Sequence, residues 1–210
     1  MPKITEAHRQ MRREQILDAA WRCFYRQGVQ ATTMDDIIRE AGLSASAMYR
    51  YFAGKDDIIF AAINASLGGL SKLLDPLLED DGIGTPAELL ARIMRVIDAF
   101  SARQGFHLAP IAIHGWSEAQ RNQGVRTLIQ GFYMTFRDKL GERVRRWQRA
   151  GTLPATVRAK DVAQTLHAMI LGHVVQVAIM DDANPKAVAR GLAGFHAGKE
   201  TPRQSRSPLR

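Results

Sequence analysis

The residues of this chain that could do covalent or metal chemistry are few and badly spaced for it. There is one cysteine, Cys23, among six histidines, and no stretch reads G-x-S-x-G, G-x-x-x-x-G-K-[ST], H-E-x-x-H or E-x-x-H. The exposed nucleophile, the phosphate-cradling loop and the common histidine metal motifs are therefore not expected. His107 and His114 stand seven apart and can share a helix face, yet no acidic residue lies at matching spacing to complete a metal site. No catalytic residue, metal ligand or cofactor is expected. What remains is hydrogen-bonding and packing chemistry. Its densest concentration is the run Ser44-Ala45-Ser46-Ala47-Met48-Tyr49-Arg50-Tyr51 followed by Lys55, which is small at its start and polar-aromatic afterwards.

The charge inventory fits such a surface. The 210 residues are 46% hydrophobic, enough for one or two domains with a real core. Lys and Arg number 29 against 21 Asp and Glu, a net +8 that favours anionic partners, nucleic acid and membrane surfaces alike. Residues 1–55 carry +3, residues 56–197 carry +2, and residues 198–210, GKETPRQSRSPLR, carry +3 with no apolar periodicity. That tail is expected to be disordered. A single cysteine excludes an intrachain disulfide framework and suits a reducing cytoplasm, with Cys23 in a packing role. The first residues hold no apolar stretch of the secretory kind. The apolar stretch 163–180 is interrupted by Gln164, His167, His173 and Gln176, so no membrane span is expected.

The elements that must carry these residues read as all-α, about nine helices, because apolar residues recur at spacings of three and four. Ile16, Ala19, Ala20 and Phe24 share one face of a first helix, which Gly28 stops near Gln27. Thr33 caps a second helix, with Asp35 and Asp36 at the positive end of its dipole and Met34, Ile37, Ile38 and Ala41 inward. Gly42 breaks that helix, Leu43 plugs the core, and Ser44 caps a third helix through ASAMYRYF that buries Met48 and Phe52. Two short helices joined by a tight glycine turn form a helix-turn-helix. A fourth helix runs from Lys55 to about Leu74, and Thr85-Pro86-Ala87-Glu88 reads as a capping box opening a fifth. Further helices are expected over 106–116, 122–149, 157–180 and 186–196. The expected domains are 1–55, the helix-turn-helix unit, and 56–197, a larger bundle.

Together, Ile16, Ala19, Ala20, Phe24, Gly28, Thr33, Ile37, Ala41-Gly42-Leu43-Ser44, Met48-Tyr49, Tyr51-Phe52 and Lys55-Asp56 resemble the TetR family of one-component bacterial transcriptional regulators. About 45 residues resemble it closely; over the rest only helix number, length and order are similar. The resemblance implies a homodimer that reads a double-stranded DNA operator and answers to a small-molecule effector. By it, Thr33, Tyr49, Tyr51 and Lys55 are contacts to the DNA backbone, with helix N-terminal amides at Thr33 and Ser44 as anion sites. Ala45, Ser46, Ala47 and Arg50 are the positions from which bases are read. The small residues physically suit a helix whose backbone must approach the major groove. Ala45 departs from the Lys, Arg or Gln of many relatives, which leaves methyl contact to thymine in place of a polar one.

The resemblance also implies a cavity inside the bundle. Its candidate lining is Phe100, Phe106, His107, Ile111, His114, Trp116, Phe132, Tyr133, Phe136, Met169 and His173, apolar walls with a few hydrogen-bonding groups. Such a lining points to a hydrophobic or aromatic ligand. The implied dimer interface uses the last two long helices, with Leu166, Ile170, Val174, Val177, Ala189, Leu192 and Phe195 as its candidates. Repression released by an inducer is the default reading, with activation or corepression as alternatives within the same fold. A different class, a basic helical protein that binds nucleic acid or membranes without specificity, would rest on Arg137, Lys139, Arg143, Arg145, Arg146 and Arg149 with Trp147.

Overall fold

Thr5 accepts a hydrogen bond from His8 N at 3.3 Å and opens the first of the helices. The computed structural model describes residues 5–103, 108–180 and 183–197. Among these residues the order is α1 (Glu6–Ala31), α2 (Met34–Ala41), α3 (Ala45–Tyr49), α4 (Lys55–Glu79), α5 (Pro86–Arg103), α6 (Leu108–Glu118), α7 (Gln123–Arg149), α8 (Ala159–Ile179) and α9 (Pro185–Ala197). The expected tail at 198–210 lies outside the described residues, as do Phe106, His107 and the side chain of Ile111.

Local chemistry accounts for most of the boundaries. Gly28 takes φ +83, which only glycine adopts freely, and α1 kinks there before one last turn to Ala31. Thr33 and Asp36 form a reciprocal capping box on α2, and Gly42 ends that helix in the left-handed region at φ +64. Asn122 accepts from Val125 N at 3.1 Å to open α7. At α5 the box is offset: Glu88 N donates to Thr85, but the Glu88 carboxylate reaches Gly84 N rather than Thr85 N. The fourth helix also runs a turn past its expected end. Leu74 and Leu78, four apart, both bury on one face, so the helix continues through Pro76, whose ring forgoes one intrahelical donor.

Two hydrophobic cores stack along α4. The first gathers Ile16, Ala20 and Phe24 of α1, Ile37 of α2, Met48 of α3 and Phe52 with Ile58 and Ala62 of α4. It also takes in Val125 and Ile129 of α7, so the apolar interior crosses the expected boundary at residue 55. The second gathers Leu74 and Leu78 of α4, Leu90 and Met94 of α5, Leu140 and Val144 of α7, and Leu166 and Ile170 of α8. The longest helix contact pairs α7 with α8, while α9 packs along α5. By length and composition α4 and α8 are each long and apolar enough to cross a membrane. Their interior faces are built into these two cores.

The cationic end of α7 is largely tied down. Arg143, 2% exposed, donates to Ile83 O and pairs with Asp81 at 3.1 Å. Arg146 donates to Leu78 O, and Lys139 pairs with Asp75 at 2.7 Å. These groups clamp α7 onto the loop between α4 and α5. Only Arg145 and Arg149 of the basic run project fully outward.

Candidate DNA interface and ligand cavity

The α2–α3 unit is held against α1 by charge as well as by its core. Glu40 accepts from Arg22 at 2.6 Å and from Arg26 at 3.2 Å, and both arginines hold its carboxyl below the ordinary range. Ser44 caps α3 by accepting from Ala47 N at 3.3 Å, and its hydroxyl lies 3.2 Å from that of Ser46. The short helix ends at Tyr49, three residues before the run ASAMYRYF does. Tyr51 N and Phe52 N then both bond Met48 O, and this turn keeps Met48 and Phe52 inward. Arg13 locks the far side, donating to Tyr51 O at 3.2 Å with its guanidinium 4.5 Å from the Phe52 ring centre.

With Met48 wholly buried, the opposite surface of α3 presents Ala45, Ser46, Tyr49 and Arg50, all exposed, beside half-buried Ala47. Tyr49 is 53% exposed. Two of the expected contacts already have partners. Lys55 Nζ donates to Gln30 O at 3.0 Å, tying α4 to the end of α1. The Thr33 hydroxyl donates to Asp36 Oδ2 at 2.7 Å while accepting from Asp36 N. These bonds from the Thr33 hydroxyl and amide pull the Asp36 carboxyl down to about 2, so a full negative charge sits on the α2 N-terminus. That charge opposes a phosphate at this helix end. Tyr51 is half-buried against the first core.

A cavity of about 100 Å³ lies between α4, α6, α7 and α8, at the junction of the two cores. Trp116, Phe132, Tyr133 and Phe136 line it as expected. Trp116 Nε1 donates to the Tyr133 hydroxyl at 2.7 Å, and Phe132 stacks on Phe136 with ring centres 6.3 Å apart. Most of the other lining residues were missed by the sequence reading. Trp21 reaches the cavity from α1, and its aromatic type four residues from Tyr25 gave no sign of that. His167 lines it from α8, where it had registered only as an interruption of an apolar run. Ile170 and Val174 line it as well, although they were expected at a dimer interface.

The remaining expected positions sort plainly. His114 sits beside Gly28 and Trp21, in a separate small gap under α1. Phe100 packs over Gly69 of α4, closely enough that a methyl group there would meet its ring at 3.2 Å. Met169 packs on the second core, and His173, 2% exposed, places Nε2 2.9 Å from Asp98 Oδ1. None of these four is on the cavity wall. Leu166, Ile170 and Val174 are buried within a single chain, so they cannot offer an outward face. The pitch of α8 decides this: the stripe they form packs into the second core. Val177 and Leu192 pack partly on the same core, Ala189 is half-buried, and Phe195 is 84% exposed.

Residues 16–62 match the family model for bacterial regulatory proteins of the tetR family, and residues 87–200 match the model of the BetI-type transcriptional repressor C-terminal domain. The chain belongs to the TetR family. This is a family of transcriptional regulators and not of enzymes, and the C-terminal match is of repressor type. The BetI regulator of Rhizobium meliloti is 34% identical over 144 residues, 67% of this chain and 66% of that one. This chain thus spans about two thirds of that relative, whereas BetI of Brucella melitensis aligns over 91% of both chains at 30% identity. Two solved structures share the fold. A regulator from Saccharomonospora viridis in complex with choline superposes with a TM-score of 0.73 at 21% identity, covering 90% of this chain and 97% of that one. FadR from Bacillus subtilis in complex with stearoyl-CoA does so with 0.70 at 20%, covering 87% and 96%. The TetR-family fold accounts for the nine described helices, their order and the helix-turn-helix.

Proposed function

We propose that this TetR-family protein is a cytoplasmic homodimeric repressor that reads a palindromic operator and is released by a small, largely apolar ligand in the cavity. Ala45, Ser46, Ala47 and Arg50 lie at the groove, and Thr33, Tyr49, Tyr51 and Lys55, with the α3 N-terminus at Ser44, lie along the DNA backbone. The observation that carries this reading is Trp21. It belongs to α1, whose next turn contributes Phe24 to the core under α2 and α3, and it also lines the cavity. Its ring meets Phe24 edge-on at 5.7 Å. A ligand touching Trp21 therefore touches the element that orients the recognition helix, and it shifts the population of two domain orientations by its differential affinity for them.

The dimer in this reading uses the outward side of α8 and α9. Ile179, Met180 and Phe195 are 70%, 64% and 84% exposed, the kind of apolar surface a monomer rarely leaves open. Two-fold pairing sets two recognition helices about 34 Å apart, one turn of DNA, so each reads a half-site. Phe195→Asp together with Ile179→Glu is expected to give a monomer by sedimentation with the helical spectrum intact.

The test is fluorescence anisotropy of the full chain with duplexes tiled from the DNA flanking its own gene, against scrambled duplex, over a salt series. One duplex is expected to bind about a thousandfold more tightly than the scramble. Uniform binding with a steep salt slope would instead support a non-specific basic protein.

A further inference from the structure

His167 is 2% exposed and sits on the cavity wall between Tyr133 and Phe136, with ring centres 4.9 and 5.8 Å away, both edge-on. Its two nitrogens are in different situations. Nδ1 faces Arg137 Nε at 3.3 Å. A guanidinium only donates, so Nδ1 accepts and carries no hydrogen. Burial first, and the Arg137 cation second, hold the imidazole pKa down to about 4, so the ring is neutral at pH 7 and its one hydrogen is on Nε2. That Nε2 is buried and has no hydrogen-bond partner among the described residues. A buried N–H in that position keeps its desolvation penalty until an acceptor arrives.

The other polar groups of the wall point the same way. The Tyr133 hydroxyl accepts from Trp116 and retains its own hydrogen to donate, and burial raises its pKa so that it stays protonated. Ser66 can donate or accept. Among the described residues no Asp, Glu, Lys or Arg lines the cavity. The wall thus offers two committed donors among aromatic and aliphatic groups, with no anion.

We propose that His167 Nε2–H, backed by Arg137, is the recognition donor for the effector, which is therefore a small, mostly apolar molecule bearing a carbonyl or carboxylate oxygen and not a quaternary ammonium. The inference rests on the reading of this cavity as the effector site. Arg137 behind Nδ1 polarises the imidazole and strengthens the opposite N–H as a donor. A cation in the cavity would meet the hydrogen ends of two dipoles and no carboxylate. Its aromatic walls alone would have to hold it.

Three probes of nearly equal size test this by calorimetric titration of the full chain: acetophenone, α-methylstyrene, in which a methylene replaces the oxygen, and phenyltrimethylammonium. Acetophenone is expected to bind about tenfold more tightly than α-methylstyrene, the worth of one hydrogen bond that rescues a buried donor, with the ammonium weakest. His167→Phe is expected to keep the affinity for α-methylstyrene and lose the preference. In case that variant does not fold, imidazole ¹⁵N spectra of the unsubstituted protein are expected to show the Nε2–H tautomer, with the Nε2 signal moving on addition of acetophenone. Equal binding of the first two probes, tightest binding of the ammonium, a preference that survives in His167→Phe, or the Nδ1–H tautomer would overturn the proposal and leave the cavity reading standing. If none of the three probes binds, the cavity reading itself falls, and this inference with it.

Discussion

The core around the helix-turn-helix and the junction where it meets the second core draw on the same residue types and are filled differently. Around the helix-turn-helix, Ile16, Ile37 and Met48 have no exposed surface and Phe24 and Phe52 almost none. Where that core meets the second, Ala112, Phe132 and Leu171 are only half-buried and the walls enclose about 100 Å³. Close packing stiffens the first region, and a helix that must present side chains at fixed spacing requires that. The junction leaves its aromatic and aliphatic surfaces partly unmatched, which lowers the gain from folding there and keeps room for a ligand. Polar groups follow the same division. Around α2 and α3, Thr33, Asp36 and Glu40 are paired within a few ångströms, while His167 at the cavity retains an open donor.

By that contrast, truncations should cost unequally. Met48→Ala is expected to lower stability by about 3 kcal/mol and Leu171→Ala by about 1 kcal/mol, because a filled site leaves a new void and a hollow one is already relaxed. Urea unfolding measures both, and equal losses would break the comparison. Acid should act at the cavity. The unfolded chain protonates His167 near 6.5, while the folded one resists protonation down to about 4. The stability it contributes is thus full above pH 6.5 and declines as pH falls towards 4. By pH 5 the loss is about 2 kcal/mol, and it should be absent from His167→Gln, so that it appears in the difference between the two proteins. A smaller effect is expected at the DNA surface. Tyr49→Ala, at an exposed side chain, should weaken operator and scrambled duplex alike by about tenfold, or about 1.4 kcal/mol, with unfolding unchanged. Ala112→Leu adds side chain to space already present and should shift unfolding by less than about 1.5 kcal/mol. It should leave operator affinity intact and abolish acetophenone binding; retained binding would place the ligand elsewhere.

Sequence alone determined the features governed by neighbours a few residues apart. The caps at Thr33, Ser44 and Asn122, the left-handed glycines at 28 and 42, and the inward positions of Met48 and Phe52 follow from local backbone chemistry and helical pitch, and all nine helices were legible within a few residues. Helix ends were misjudged where distant packing outweighed a local signal, as at Pro76, which Leu78 carries across by burying in the second core. The cavity could not be read in the same way. Periodicity marks Ile170 and Val174 as apolar on one stripe, but which neighbour that stripe meets depends on how α8 rolls against α7. Only the tertiary structure decided that this stripe faces inward, that Trp21 of α1 reaches the cavity, and that Arg137, 30 residues away in sequence, fixes the tautomer of His167. Short-range rules constrain the backbone of each helix separately. A cavity is what several helices fail to fill together, and no single segment encodes it.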